Sequence, residues 1–237
     1  MNLIILEDRD FIDPTQVRLT GRRHLHLTTV IKVQPGDTLS VGKLNGLQGE
    51  AQVTTVTSDT IILKVGTLNQ LSPPTLPVTL ILGLPRPKML QRTLQTIATM
   101  GVEKLCLIQT SRVEKSFWQT PLLKPDSVHE QLLLGLEQGK ATQLPVVEYH
   151  PRFRPFIEDV LPALCQNSRR LIAHPGDYPP VTAVDTSIPT LLAVGPEGGF
   201  IHAEVERFMA LKFQPVQLGQ RILRVETAIP VLLAKLF

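Results

Sequence analysis

Two stretches of this chain carry residues whose types and spacing could do chemistry. The first is "VGPEGGF", Val194 to Phe200, in which one carboxylate, Glu197, stands among Gly195, Gly198 and Gly199 at the end of an apolar run. The second is "LGQRILRVETA", Leu218 to Ala228, in which Arg221, Arg224 and Glu226 interrupt an otherwise apolar neighbourhood. Paired glycines let a backbone approach a ligand closely and offer unhindered N–H and C=O groups. Charges inside an apolar segment are costly unless they are paired, solvated or used. An Arg224–Glu226 structural pair or a solvated face is the plainer reading of the second stretch, as a tight turn is of the first.

The residues narrow the ligand. A Walker phosphate loop needs a lysine beside its last glycine, and after Gly195 none appears until Lys212, while Glu197 would repel phosphate. The dinucleotide fingerprint follows the first strand of its sheet; here that strand leads into "GLPRPK" instead. A neutral or cationic guest fits better. Free backbone groups can read an adenine edge, and Glu197 would not repel a sulfonium. S-adenosylmethionine has both features.

Elements must position these residues, and the sequence divides them into two groups. "LNQLSPPTLP", 68–77, places three prolines where neither a helix nor a central strand can run, so a linker is expected there. Before it, short alternating runs (37–44, 49–57 and 59–68) are separated by Pro35-Gly36-Asp37, Asn45-Gly46 and Ser58-Asp59, and a helical segment covers 22–32. A small β-barrel domain over 1–70 follows. Beyond the linker the period changes. Strand runs at 78–84, 104–110, 145–150, 170–176, 190–199 and 214–219 alternate with helical patterns at 88–101, 126–140, 155–165, 203–213 and 225–237. This predicts an α/β domain with a parallel sheet over 71–237, in which ligands bind beyond the carboxyl ends of strands.

Composition sets outer limits. The net charge is +3 at a pI near 9.0, and residues 1–70 hold 7 basic and 7 acidic side chains. Any nucleic-acid surface must therefore come from local clusters such as Arg22-Arg23-His24 with His26, Arg86–Lys88, Arg112–Lys115, Arg152–Arg154 and Arg169-Arg170. No run of 18 apolar residues is present, and the acidic start lacks the basic region of a signal peptide. Cys106 and Cys165 form no metal spacing and read as reduced core thiols of a cytoplasmic protein.

Together "GPEGGF" and "LGQRILRVETA" resemble the SPOUT superfamily of methyltransferases, and within it the RsmE-type family, which methylates N3 of a uridine in 16S ribosomal RNA. "RTLQTIATMGVEKL" (92–105), "SRVEKS" (111–116), "LEQ" (136–138), "HPG" (174–176) and "RRHLHLTTVIKVQPGD" (22–37) extend the likeness over most of the chain. The chain departs from the family at Ile201, where a hydroxyl residue is common, at Lys140, where an arginine is usual, at "VIK" (30–32), and at Val225.

The resemblance implies a C-terminal trefoil knot and an N-terminal PUA-like RNA-binding barrel. It also implies S-adenosylmethionine as cofactor, held by His174, Pro175 and Gly176, by Val194, Gly195, Glu197, Gly198 and Gly199, and by Leu218, Gly219, Ile222 and Leu223. No metal is implied. Arg224 becomes the candidate for stabilising the anion that forms on uracil, and Glu226 a candidate for orienting Arg224 or accepting the proton through water. Glu197 is a candidate for fixing its turn by accepting backbone N–H bonds. Arg22, Arg23, Lys32, Arg86 and Lys88 become candidate phosphate contacts, which position RNA without reading its sequence. The partners implied are ribosomal RNA or the small ribosomal subunit, and a second copy of the chain. The last helix points to that homodimer too, with Val231, Leu232, Leu233, Leu236 and Phe237 around much of its circumference. The alternatives are a SPOUT enzyme for another ribosomal or transfer RNA nucleotide, and a non-catalytic RNA-binding homologue.

Overall fold

The computed structural model describes residues 2–237. The chain divides into two compact units, Met1–Pro74 with Leu133–Leu144, and Thr75–Leu132 with Pro145–Phe237.

The first unit is built on six short strands: β1 (Ile4–Leu6), β2 (Phe11–Asp13), β3 (Gln16–Leu19), β4 (Thr38–Lys43), β5 (Gln48–Val56) and β6 (Ile61–Val65). They pair in the order β1-β4-β5-β6-β3-β2. Only the β1–β4 pair is parallel, and no ladder joins β1 to β2 among the described residues. The side-chain period of two is plain in β3, where Val17 and Leu19 are buried and Gln16 and Arg18 exposed. The buried set, which includes Ile4, Leu6, Val41, Val53, Ile61 and Leu63, forms one core with Leu27. Leu27 comes from the helical stretch α1 (Gly21–His26) and its π-helical extension Leu27–Ile31, which Lys32 ends in the left-handed conformation at φ 62°.

A boundary at residue 70 assigns Leu133–Leu144 to the second domain, whereas these residues group with the first unit. Their polar bonds explain it. The Glu137 carbonyl accepts the N–H groups of Asn2 and Leu3. The buried Glu137 carboxylate takes both Arg22 terminal nitrogens at 2.9 and 3.1 Å, and Gln48 Nε2 donates to the Lys140 carbonyl at 2.7 Å.

The second unit carries strands β7 (Leu76–Gly83), β8 (Val102–Ile108), β9 (Val146–His150), β10 (Arg169–Ala173), β11 (Thr190–Val194) and β12 (Gln214–Val216). All are parallel, in the order β12-β10-β11-β7-β8-β9. This is the predicted parallel sheet, with β11 inserted between β10 and β7. Helix α2 (Pro87–Thr99) links β7 to β8, and α3 (Pro125–Gly139) lies between β8 and β9. A helical stretch then runs α4 (Phe153–Pro155), a π-helical turn Phe156–Val160, and α5 (Leu161–Leu164). Helices α6 (His202–Ala210) and α7 (Val225–Leu236) follow β11 and β12. The π turn falls where Pro162 has no N–H to give the carbonyl four residues back.

Both faces of the sheet are covered. Ile81, Cys106, Ile108, Ile172, Leu191 and Ala193 pack with Phe156, Leu161, Val205 and Phe208. The alternate residues Leu80, Leu82, Leu105, Leu107 and Leu192 are also buried and face the other way. Runs buried on both sides are why the strands read as continuous apolar segments.

The apolar last helix is less in need of a partner than its sequence suggests. Ile229, Leu232, Leu233 and Leu236 are buried within the chain, and Val231 and Phe237 are half-buried. Helix α2 packs against α7, and the Val184 N–H donates to the Leu236 carbonyl.

Candidate active site

Strands β12, β10 and β11 are parallel neighbours, so the loops after them leave the sheet at the same end. That brings His174, Pro175 and Gly176 together with Val194–Gly199 and with the loop holding Leu218, Gly219, Ile222 and Leu223. The ladder extends one residue past β10, because the His174 N–H donates to the Val216 carbonyl at 3.0 Å.

The turn after β11 is held from three sides. Glu197 Oε1 accepts the backbone N–H of Arg86 at 3.0 Å. Arg112 donates from Nη1 to the Gly198 carbonyl, and the Gly199 N–H returns to the Pro196 carbonyl at 2.7 Å. Underneath, Gly83 at the end of β7 leaves room for Pro196: a Cβ at Gly83 would stand 2.4 Å from Pro196 Cδ. Glu204, buried in α6, accepts the N–H groups of Ser111 at 2.7 Å and Ile201 at 3.0 Å. Its carboxylate thus satisfies the backbone N–H of the N-cap residue Ile201, the returning half of a capping box, while the apolar Ile201 side chain accepts nothing from the first turn.

The glycines divide by role. A Cβ on Gly195 would meet Phe200 N at 2.8 Å and Gly199 C at 2.9 Å, so this glycine closes the turn on itself. A Cβ on Gly198 would meet the Arg112 side chain at 3.0 Å. Gly219, at φ 117°, has nothing within 4 Å of a Cβ position, so its backbone borders open space. Ile222 in the same loop is 84% exposed, an apolar side chain with no place in the core. Burial, with the charges of Arg112 and His202 adding to it, holds the His174 imidazole below its ordinary range and therefore neutral at pH 7.

Arg224 is the exposed N-cap residue of α7. Among the described residues no ion pair joins it to Glu226. Glu226 instead lines a groove with Arg92, Gln95, Thr96, Thr99 and Met100 of the α2 region, and its Oε2 is buried without a hydrogen-bond partner. None of the three strand-end loops contributes to that groove.

The candidate phosphate contacts separate as well. Lys32, Arg86 and Lys88 are exposed. Arg23 is committed elsewhere: it donates to both Asp10 oxygens at 2.6 and 2.5 Å and to the Ile5 carbonyl at 2.7 Å, and its side chain is 13% exposed. Arg22 is held by Glu137. Basic runs in a sequence do not disclose such distant partners. The roles of Gly83 and Glu204 are set by distant partners too, Pro196 and Ser111, although Glu204 stands three residues after the N-cap, a spacing that signals capping. Arg112 was legible only as part of a basic cluster.

A parallel α/β sheet with three glycine-bearing loops at the carboxyl ends of adjacent strands is a ligand-binding architecture. The family model described as an RNA methyltransferase domain matches residues 72–236. The chain belongs to that family. It is 27% identical over 236 residues to ribosomal RNA small subunit methyltransferase E of Treponema pallidum, covering 96% of this chain and 87% of that one. To the protein of the same name from Synechocystis it is 29% identical, covering 98% and 76%. The crystal structure of ribosomal RNA small subunit methyltransferase E from Neisseria gonorrhoeae, bound to S-adenosyl methionine, shares the fold at a TM-score of 0.76 and 22% identity, over 99% of this chain and 94% of that one. The resemblance drawn from "GPEGGF" and "LGQRILRVETA" therefore holds.

Proposed function

We propose that this protein transfers a methyl group from S-adenosylmethionine to N3 of a uridine in 16S ribosomal RNA, as free RNA or within the small ribosomal subunit. The observation that carries the reading is the convergence of His174–Gly176, Val194–Gly199 and Leu218–Leu223 at one end of the sheet in a chain of the RNA methyltransferase family. The loops suit the cofactor. Gly219 borders open space and Ile222 offers apolar surface. The Glu197 carboxylate is compatible with a cation, and His174 is held neutral.

When bound, S-adenosylmethionine supplies an electrophilic sulfonium methyl. The chain's task is to make uracil N3 a nucleophile. Neutral N3 carries a proton, so charge must develop on the base as that proton leaves. Arg224 brings a guanidinium to the start of α7, where the positive end of the helix dipole acts in the same sense. The two together stabilise negative charge on O2 or O4. Glu226 is the candidate proton acceptor, acting through water, with Oε2 free of competing donors. Lys32, Arg86 and Lys88 contact phosphates, while Arg22 and Arg23 act by holding α1 in place.

Four further parts of the reading rest on the same likeness. The first unit is a PUA-like barrel that binds RNA. The late strands form a trefoil knot, supported by the insertion of β11 between β10 and β7. The enzyme works in the cytoplasm; no helix of the described residues is long and apolar enough to cross a membrane. It acts as a homodimer. Light scattering at low micromolar concentration should give twice the 26.3 kDa of one chain; an active monomer overturns the dimer.

Mass spectrometry of ribosomal RNA nucleosides from a deletion strain tests the central claim. N3-methyluridine should disappear from 16S RNA and return when the gene is restored. Loss of a different methylated nucleoside reassigns the target, and no loss removes the activity.

A further inference from the structure

Away from the three loops, strand register gathers a second set of chemically capable side chains. Cys106 on β8 lies opposite Glu148 on β9, and Ile108 lies opposite His150. Residues two apart on a strand share a face, so Cys106, Glu148 and His150 point the same way. Their donor atoms all lie within 4.8 Å of one another. Cys106 Sγ is 3.7 Å from Glu148 Oε2, and His150 Nε2 is 3.3 Å from the same oxygen. The separation of 42 positions between Cys106 and Glu148 hides the set from any reading of linear spacing.

We propose that Cys106, Glu148 and His150 form a binding site for a zinc-like divalent cation that staples β9 to β8. Tetrahedral zinc bonds of about 2.0–2.3 Å place neighbouring ligand atoms roughly 3.3–3.8 Å apart. The two distances above fall in that range. One thiolate, one imidazole and one carboxylate are ligands that zinc accepts together. Three protein ligands leave a fourth position, which water can fill from the side where Glu148 is 36% exposed. The His150 ring is already oriented, because Phe156 lies against it with ring centroids 4.7 Å apart. Lys104 Nζ holds the other Glu148 oxygen, Oε1, at 2.7 Å. This leaves Oε2 for the cation, whose two positive charges balance the thiolate and the carboxylate.

Binding replaces two hydrogen bonds with bonds to the cation. In the free protein the Cys106 thiol and His150 Nε2 both donate to Glu148 Oε2. On binding, the Cys106 S–H proton leaves to solvent, the His150 proton moves from Nε2 to Nδ1, and Sγ, Nε2 and Oε2 each bond the cation, with no redox change. The site is separate from methyl transfer, and its consequence is rigidity. β9 is an edge strand of the sheet, and a cation bridging it to β8 would tie down that edge.

Cobalt(II) titration of the chelator-treated 237-residue chain tests the proposal directly. We expect one equivalent to bind, with the near-ultraviolet thiolate-to-cobalt charge-transfer absorption, and zinc to displace it and raise the melting midpoint. Cys106→Ser should abolish the absorption and Cys165→Ser should leave it. Because Cys106 is a core residue, the partly exposed His150→Gln carries an independent arm and should weaken binding at least about tenfold. An absent absorption, one that survives Cys106→Ser or vanishes in Cys165→Ser, or unchanged affinity in His150→Gln overturns the site.

Discussion

At the scale of single residues, the site is shaped as much by what glycine leaves out as by what charged groups add. Gly195 and Gly198 look alike in sequence yet face different neighbours. The space beside Gly195 is filled by the backbone of its own turn, which cannot yield; that beside Gly198 is filled by the flexible Arg112 side chain. Gly195→Ala should therefore destabilise the protein by about 1–3 kcal/mol, whereas Gly198→Ala should be tolerated more easily; thermal melts of the two variants decide it. Equal losses would show that Arg112 is as fixed as backbone. Arg224 is exposed and caps nothing through its side chain, so the proposed function gives it a part in chemistry rather than in folding. Arg224→Ala should leave cofactor affinity nearly intact and slow single-turnover methylation about 10²–10³-fold. An unchanged rate removes Arg224 from the mechanism.

At the scale of elements, legibility depended on whether the signal was local. Four strands of the parallel sheet, β7, β8, β10 and β11, could be read from apolar runs, and β9 and β12 from their place in the alternation of strands with helices. β1, β2 and β3 of the first unit were not read, since three or four residues give too little pattern. The grouping of Leu133–Leu144 with the first unit has remote determinants, since Arg22 and Glu137 stand 115 positions apart. That pair makes a specific demand. Arg22→Ala leaves a buried carboxylate without its bidentate partner and should cost about 2–3 kcal/mol, with Glu137→Gln in the same chain recovering part of it. Chemical denaturation of the single and double variants measures both, and independent, additive losses would refute the coupling. Deleting residues 1–70 should for the same reason yield a less stable chain, since Glu137 loses its bonds to Arg22, Asn2 and Leu3, and Lys140 its bond to Gln48. A truncated chain that melts where the parent's second unit does would contradict this.

At the scale of the whole molecule, pH should act partly through His174. Its imidazole titrates below the ordinary value in the folded chain. The unfolded chain therefore binds the proton first as pH falls below about 6.5, and stability should decline there while staying level above it. His174→Gln should flatten that part of the curve, as melting midpoints at about pH 5 and about pH 7.5 would show; an identical slope assigns the effect elsewhere. The strand order has a further consequence for how the protein is made. β7 ends at Gly83 and finds one neighbour soon, in β8, but its other neighbour is β11, which begins at Thr190. While the intervening chain is being synthesised, an apolar strand shows an open row of hydrogen-bonding groups with nothing to receive them. Such an edge pairs readily with other chains. Rapid overproduction should therefore drive this protein into aggregates, and slower translation or a chaperone that shields β7 should bring it back into solution.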